Sequence, residues 1–315
     1  MNEDKYYLLG CTYTDEFNFE KELFSKILIT YKCNFPEICK TKITNDIGWG
    51  CTIRSGQMLL ANTLLRNQLN LYSKSIEYNT ININEYKKII GYFNDNYNSV
   101  FSLHNFTNYY EKMNIIPGNW IGPYSFCKIL EYYKDELFKH NIFYMNCING
   151  ELNLKSIQTN NKNNANISYV FTFPIRLGIS EIGYEYHENI LYYTRLKYFN
   201  GIIGGNKTAS FYFVGSLKNK LIYLDPHYVS KYNLLQNIEE YYTKNVKYLD
   251  IKNLSPTFSI CFYCKNSNEI SELINILKSV PDKKNSIIEV TENELKQECN
   301  TYTIKEDGEQ WEFIE

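Results

Sequence analysis

The chain has 315 residues and a formal net charge of −2. That length suffices for one large core, with or without an inserted lobe, and so near-neutral a balance gives no electrostatic reason to expect nucleic acid or an anionic membrane as partner. Hydrophobic residues make up 44 % of the chain and charged residues 22 %, a globular balance that argues against a disordered chain.

The opening stretch, MNEDKYYLLGCTYTDEF, carries acidic residues before a short apolar run and has no small-residue cleavage site, so it reads as no secretory signal. A bilayer span needs about 18 or more apolar residues in a row, and no such run is present. Nine cysteines, an odd number, without a signal point to reduced thiols and a cytoplasmic protein.

Leu60, Ala61, Leu64 and Leu65 recur at helical spacing and predict a helix from Thr52 to about Leu69 with one buried face. Residues 80–118 turn to asparagine and aromatic residues, which suits an inserted helical lobe. GPYSFCKILEYYKDELFKH predicts a second helix, with Pro123 in its first turn. QTNNKNNAN (158–166) is polar and low in complexity and reads as a surface loop, and ISYVFTF (167–173) as a buried strand. Ile182, Tyr186 and Ile190 suggest a helix that NGIIGG then ends, and SFYFVGS and LIYL form a hairpin across LKNK. Ile270, Leu273, Ile274 and Leu277 mark a last helix. From 281 onward the chain is polar and reads as a mobile tail. The fold class is α+β, with one domain over 1–280 and a tail over 281–315.

Chemistry concentrates in two places. In DIGWGCTIRSGQM (46–58), Cys51 lies between a glycine-rich turn and the predicted helix. A thiol at a helix N-terminus feels unpaired N–H groups, which favour thiolate, and Gly48 and Gly50 permit a sharp turn and close approach of a substrate. The same position also suits an inert core thiol, and the residues alone leave both open. Of the four histidines, His104, His140 and His187 read as packing or surface residues. His227 differs, because LIYLDPHYVS places Asp225 two residues before it at a strand end. Residues i and i+2 of an extended chain share a face roughly 6.6 Å apart, so the carboxylate can reach the imidazole. Pro226 biases Asp225 toward that extended geometry.

Cys51, His227 and Asp225 are together the parts for thiolate–imidazolium catalysis, with a backbone N–H and a side-chain donor needed for the oxyanion. Composition cannot choose that donor among 30 tyrosines. CFYC (261–264) stands alone, without a second pair at zinc-finger spacing, and IIGGNK lacks the Lys-Ser/Thr of a phosphate loop. Neither a metal nor a cofactor is expected. Trp311 and Ile314 in EQWEFIE form a W-x-x-I pair, suited either to strand addition on a partner or to packing at home.

The chain resembles the autophagins, the autophagy-related protein 4 cysteine peptidases. The likeness runs in order through YYLLGCTY, ITYKCNFPEI, DIGWGCTIRSGQMLLANTLL, GNWIGPYSFCKIL, FPIRLGISEI, GIIGGNKTASFYFVGSLKNKLIYLDPH and FSICFYCK. The resemblance implies a papain-like fold with a small helical insertion. It implies Cys51 as nucleophile, Asp225 and His227 as its partners and Tyr31 as oxyanion donor. Trp120 would stand beside the cleft, under a glycine-rich gating loop at Gly204–Ser210 that includes Gly205. The implied substrate is a GABARAP-type ubiquitin-like modifier, cut after a glycine near its C-terminus and released from phosphatidylethanolamine. That leaves a monomer that meets autophagic membranes only through its substrate and binds no nucleic acid. Trp311 and Ile314 would add a modifier-binding motif, and a weakly active adaptor working through that motif is the alternative. Two positions depart from the family pattern: Lys207 stands where a proline is usual, and Ser55 where a further cysteine is frequent.

Overall fold

The computed structural model describes residues 4–38, 40–68, 83–160, 167–233 and 237–292, together with two strands at 303–306 and 309–312. In chain order the elements begin with β1 (Tyr6–Leu8), β2 (Cys11–Tyr13), α1 (Glu16–Leu23), β3 (Tyr31–Cys33) and α2 (Cys51–Gln68). Helices α3 (Ile83–Gly91), α4 (Leu103–Asn108), α5 (Pro123–Tyr132) and α6 (Lys134–Lys139) follow. Next come β4 (Ile142–Asn146), β5 (Glu151–Asn153), α7 (Leu154–Asn160), β6 (Ser168–Arg176), α8 (His187–Thr194), β7 (Phe199–Gly205), β8 (Ser210–Leu217) and β9 (Lys220–Leu224). The chain closes with β10 (Val229–Lys231), β11 (Lys247–Asp250), β12 (Thr257–Cys264), α9 (Ser267–Lys278), β13 (Glu289–Thr291), β14 (Thr303–Glu306) and β15 (Glu309–Glu312). No helix among the described residues is long and apolar enough to cross a membrane.

Among the described residues the main sheet runs β11-β9-β8-β7-β12-β6-β4, with β1 on the far part of β8 and β2 outside it. Its neighbours are antiparallel except β4 and β6. Side chains alternate between two cores. On β12, Cys261 and Tyr263 join the core built with α1 to α5, while Phe258, Ile260, Phe262 and Cys264 join the core built with α8 and α9. A sheet covered on both faces makes its strands read as apolar runs without alternation. That is why FNGIIGG, expected to end a helix, is instead the fully buried strand β7.

Three further expectations are corrected. Helix α2 has no exposed face from Cys51 to Leu65, because the sheet lies on one side and α3 to α5 on the other. Its polar side chains are accommodated by specific partners: Asn62 exchanges hydrogen bonds with the Ile27 backbone, and Gln57 donates to the Phe101 carbonyl at 2.9 Å. The helix expected over 122–140 breaks at Tyr133, whose hydroxyl donates to the Asn105 carbonyl at 2.7 Å. The tail expected from 281 is packed as far as Thr291. Val280, Ile287 and Ile288 are buried, β13 pairs in parallel with β5, and Asn189 donates to the carbonyls of Asp282 and Asn285. Within 80–118, the side chains of Tyr86, Ile89, Phe101 and Phe106 share the core of α2.

Candidate active site

The turn before α2 is built on Asp46. Its carbonyl accepts the N–H groups of Trp49 at 3.3 Å and Gly50 at 2.9 Å, and the Gly50 carbonyl then accepts the N–H of Arg54 to begin the helix. Gly48 takes a positive φ of 84°, open to glycine at little cost. Gly50 has no room for a side chain, since a Cβ there would lie 2.4 Å from Asp46 Oδ2. Cys51 therefore opens α2, at the end where a helix's first N–H groups lack partners within it, and it is 3 % exposed.

Asp225 and His227 follow β9 at the other end of the chain. Asp225 Oδ1 accepts both the backbone N–H of His227 at 3.0 Å and its ring Nδ1 at 2.7 Å, while Lys247 Nζ donates to Oδ2 at 2.5 Å. With Nδ1 committed to Asp225, the other ring nitrogen is left for Cys51, and the imidazole and thiol are hydrogen-bonded. Strand β3 brings in Tyr31. It pairs in parallel with β10 in the register Tyr31 to Val229, and the Tyr31 N–H donates to the Pro226 carbonyl at 2.9 Å. The rings of Tyr31 and Phe211 stand edge-on to the imidazole, with centroids at 5.3 and 5.4 Å. The Tyr31 hydroxyl is hydrogen-bonded to the Cys51 sulfur and accepts the Gly48 N–H.

The electrostatics favour an ion pair. Burial resists ionisation of Cys51, but hydrogen bonds from His227, the Ser210 backbone N–H and Tyr31 outweigh it and lower the thiol pKa. Burial likewise opposes charge on His227, yet hydrogen bonds to Asp225 and Cys51 raise its pKa to about 9. Asp225 falls to about 2 against the effect of burial, through its bonds to His227 and Lys247. Burial keeps the Tyr31 phenol protonated, and the nearby Cys51 adds to this. A thiolate beside an imidazolium, with a neutral hydroxyl pointing at the sulfur, can attack a carbonyl and hold the resulting oxyanion.

Comparison with known proteins agrees. Residues 16–276 match the Peptidase C54 catalytic domain. The chain belongs to this family, the autophagins, and is a cysteine peptidase. It is 30 % identical to the cysteine protease ATG4 of Candida albicans, across 90 % of this chain and 70 % of that protein. It is 28 % identical to the cysteine protease ATG4C of Xenopus laevis, across 83 % and 71 %. With the cysteine protease ATG4b of Arabidopsis thaliana it shares 28 % identity, across 89 % and 65 %. The family assignment makes the papain-like α+β architecture the natural description of the fold.

Of the residues singled out in the sequence, Cys51, His227, Asp225 and Tyr31 converge. Trp120 is 44 % exposed on the loop entering α5, beside Gly122. The expected loop at Gly204–Ser210 is narrower than thought, because Gly204 and Gly205 end β7, Ser210 begins β8, and only 206–209 form the turn. A Cβ on Gly205 would lie 1.7 Å from the Ala209 carbonyl oxygen, so glycine there serves the hairpin. Lys207 is exposed in that turn. Ser55 is enclosed within α2, and its hydroxyl has no partner among the described residues. Trp311 falls in β15, where backbone alone is described, and Ile314 lies outside the described residues.

Three partners escaped the sequence reading. Arg54, fully buried one turn after Cys51, donates to Asp46 at 2.7 Å and to Asp95 at 2.9 and 3.0 Å. Its signal was a charged residue in a helix otherwise read as apolar. Lys247 and Phe211 gave none, since neither is near its site partners along the chain. The other thiols contrast with Cys51. Cys261 and Cys264, three apart on β12, face opposite cores, and burial pushes Cys261 up to about 12 and raises Cys264 well above the ordinary thiol.

Proposed function

We propose that this peptidase cuts GABARAP-type ubiquitin-like autophagy modifiers after a glycine near their C-terminus and releases the same modifiers from phosphatidylethanolamine. It works in the cytoplasm as a monomer without a cofactor, and it meets autophagic membranes through the lipid-linked substrate. The observation that carries this reading is the convergence of Cys51, His227 and Tyr31, from three distant segments, on one sulfur.

The Cys51 thiolate adds to the glycine carbonyl, forming a carbon–sulfur bond and an oxyanion. The Cys51 backbone N–H and the Tyr31 hydroxyl hold that oxyanion. When the tetrahedral centre collapses, the amide C–N bond breaks and the His227 imidazolium gives its proton to the leaving amine. Water, deprotonated by His227, then attacks the thioester, and the modifier leaves with a free carboxylate. A peptide bond and the amide to phosphatidylethanolamine are the same bond type, so one site serves both. In this reading Trp120 and the hairpin at Gly204–Ser210 flank a slot that admits glycine, and Trp311 and Ile314 give the modifier a second anchor.

The test is incubation with a C-terminally extended modifier and with modifier conjugated to phosphatidylethanolamine in liposomes, followed by mass spectrometry of the product ends. Both substrates should be cut immediately after the glycine. Cys51→Ala should abolish both reactions with an unchanged circular dichroism spectrum. Cleavage by purified Cys51→Ala would end the mechanism, and cleavage of ubiquitin in place of the modifier would end the substrate assignment.

A further inference from the structure

Asp46 occupies an unusual position between the two oxyanion donors proposed above. On one side it belongs to the Cys51 turn, through its carbonyl to Trp49 and Gly50. On the other it is paired with the strand that carries Tyr31: its N–H donates to the Lys32 carbonyl at 3.3 Å, and its Oδ1 accepts the Lys32 N–H at 2.7 Å. Its second oxygen, Oδ2, accepts the Nε–H of Arg54 at 2.7 Å and sits where a Cβ on Gly50 would come within 2.4 Å of it. Asp46 has no exposed surface, and neither has Arg54. Every polar atom of Asp46 thus ties β3 to the turn or to the first turn of α2.

We propose that Asp46, clamped by Arg54, is a positioning residue that sets the separation between the Tyr31 hydroxyl and the Cys51 backbone N–H. The inference rests on Tyr31 acting as an oxyanion donor. One carboxylate spanning both supports fixes them relative to each other before substrate arrives, which is what a preorganised oxyanion site needs. Placement matters steeply, since donors act only within ordinary hydrogen-bond distance of the developing charge. It also gives the glycine at 50 a reason: any side chain there would displace the carboxylate. The negative charge of Asp46 further helps to keep Tyr31 protonated, and so a donor.

The experiment is a double-mutant cycle on modifier cleavage with kcat and KM measured separately. Asp46→Asn keeps an acceptor for the Lys32 N–H but loses its acceptor for Arg54, and should lower kcat about tenfold or more with KM within about twofold. In a Tyr31→Phe background the same substitution should cost less than about threefold, because the arm it positions is already gone. Alkylation of Cys51 by iodoacetamide should keep its wild-type pH dependence in Asp46→Asn, which separates a misplaced oxyanion donor from a damaged thiolate–imidazolium pair. Gly50→Ala, which keeps every charge and pushes the carboxylate aside, should repeat the pattern, and it carries the test if Asp46→Asn does not fold. Full activity in Tyr31→Phe alone would overturn the oxyanion reading. A Tyr31→Phe defect that multiplies in full with Asp46→Asn, or an alkylation profile reverting to that of an ordinary thiol, would overturn the role of Asp46 and leave that reading standing.

Discussion

On the Cys51 side of the site every charge is enclosed: Asp46 and Arg54 have no exposed side-chain surface and Asp95 only 3 %. On the His227 side, Asp225, His227 and Lys247 keep 14 to 30 % of theirs. Buried ion pairs carry a desolvation cost that their attraction barely offsets, so they are poor sources of stability but fix geometry closely. In the mechanism proposed above, the first side holds a sulfur and two donors in place. In the same mechanism the second passes protons to a leaving amine and takes them from water, which a sealed imidazole could not do. Rigidity and solvent access are thus divided between the two ends of the chain.

The sharpest way to break this contrast is to remove the buried cation. Arg54→Met leaves Asp46 and Asp95 uncompensated in the core and should destabilise the fold by about 3–5 kcal/mol, read by chemical denaturation. A loss of catalysis with stability intact would mean that the clamp is not structural at all. Next in size, Tyr31→Phe should reduce kcat on the order of 10²-fold, while Cys51 alkylation keeps its rate. That result would assign Tyr31 to the oxyanion and not to activation of the thiol.

The pH profile probes the exposed side. The reactive pair needs Cys51 ionised, which its lowered pKa favours, and His227 protonated, which holds below about 9. The profile of kcat/KM should therefore fall as pH rises through about 9, by roughly tenfold per further unit. A fall already near pH 7 would show that Asp225 does not raise His227. The smallest effect belongs to Lys247→Met. Its partly exposed ion pair with Asp225 should be worth a loss of no more than about fivefold in kcat, with little change in stability. If that variant instead unfolds the protein, the two sides of the site are not built differently.

What could be read from the residues was what is local. The glycine-rich turn before Cys51 and the Asp225–His227 pair each depend on neighbours within a few positions, and both were legible. The strand SFYFVGS and the helix of Ile270, Leu273 and Leu277 were likewise fixed by short-range pattern. Misreadings arose where tertiary burial overrode pattern. FNGIIGG looked like a helix terminator because two-sided burial removes alternation, and 281–292 looked like a tail because its buried apolar residues, Ile287 and Ile288, stand in an otherwise polar stretch.

By itself the sequence determined the chemical parts: a thiol at a helix mouth, an oriented imidazole at a strand end, and the family to which they belong. Only the folded chain decided that they meet, through parallel pairing of β3 with β10 and packing of α2 on β7 and β8. The folded chain also supplied Lys247 for Asp225 and Arg54 for Asp46, and it brought Tyr31, already implied by the family resemblance, to the sulfur. Helix caps and i, i+2 contacts follow from bond geometry, whereas contacts between distant segments exist only once a shared core has brought those segments together.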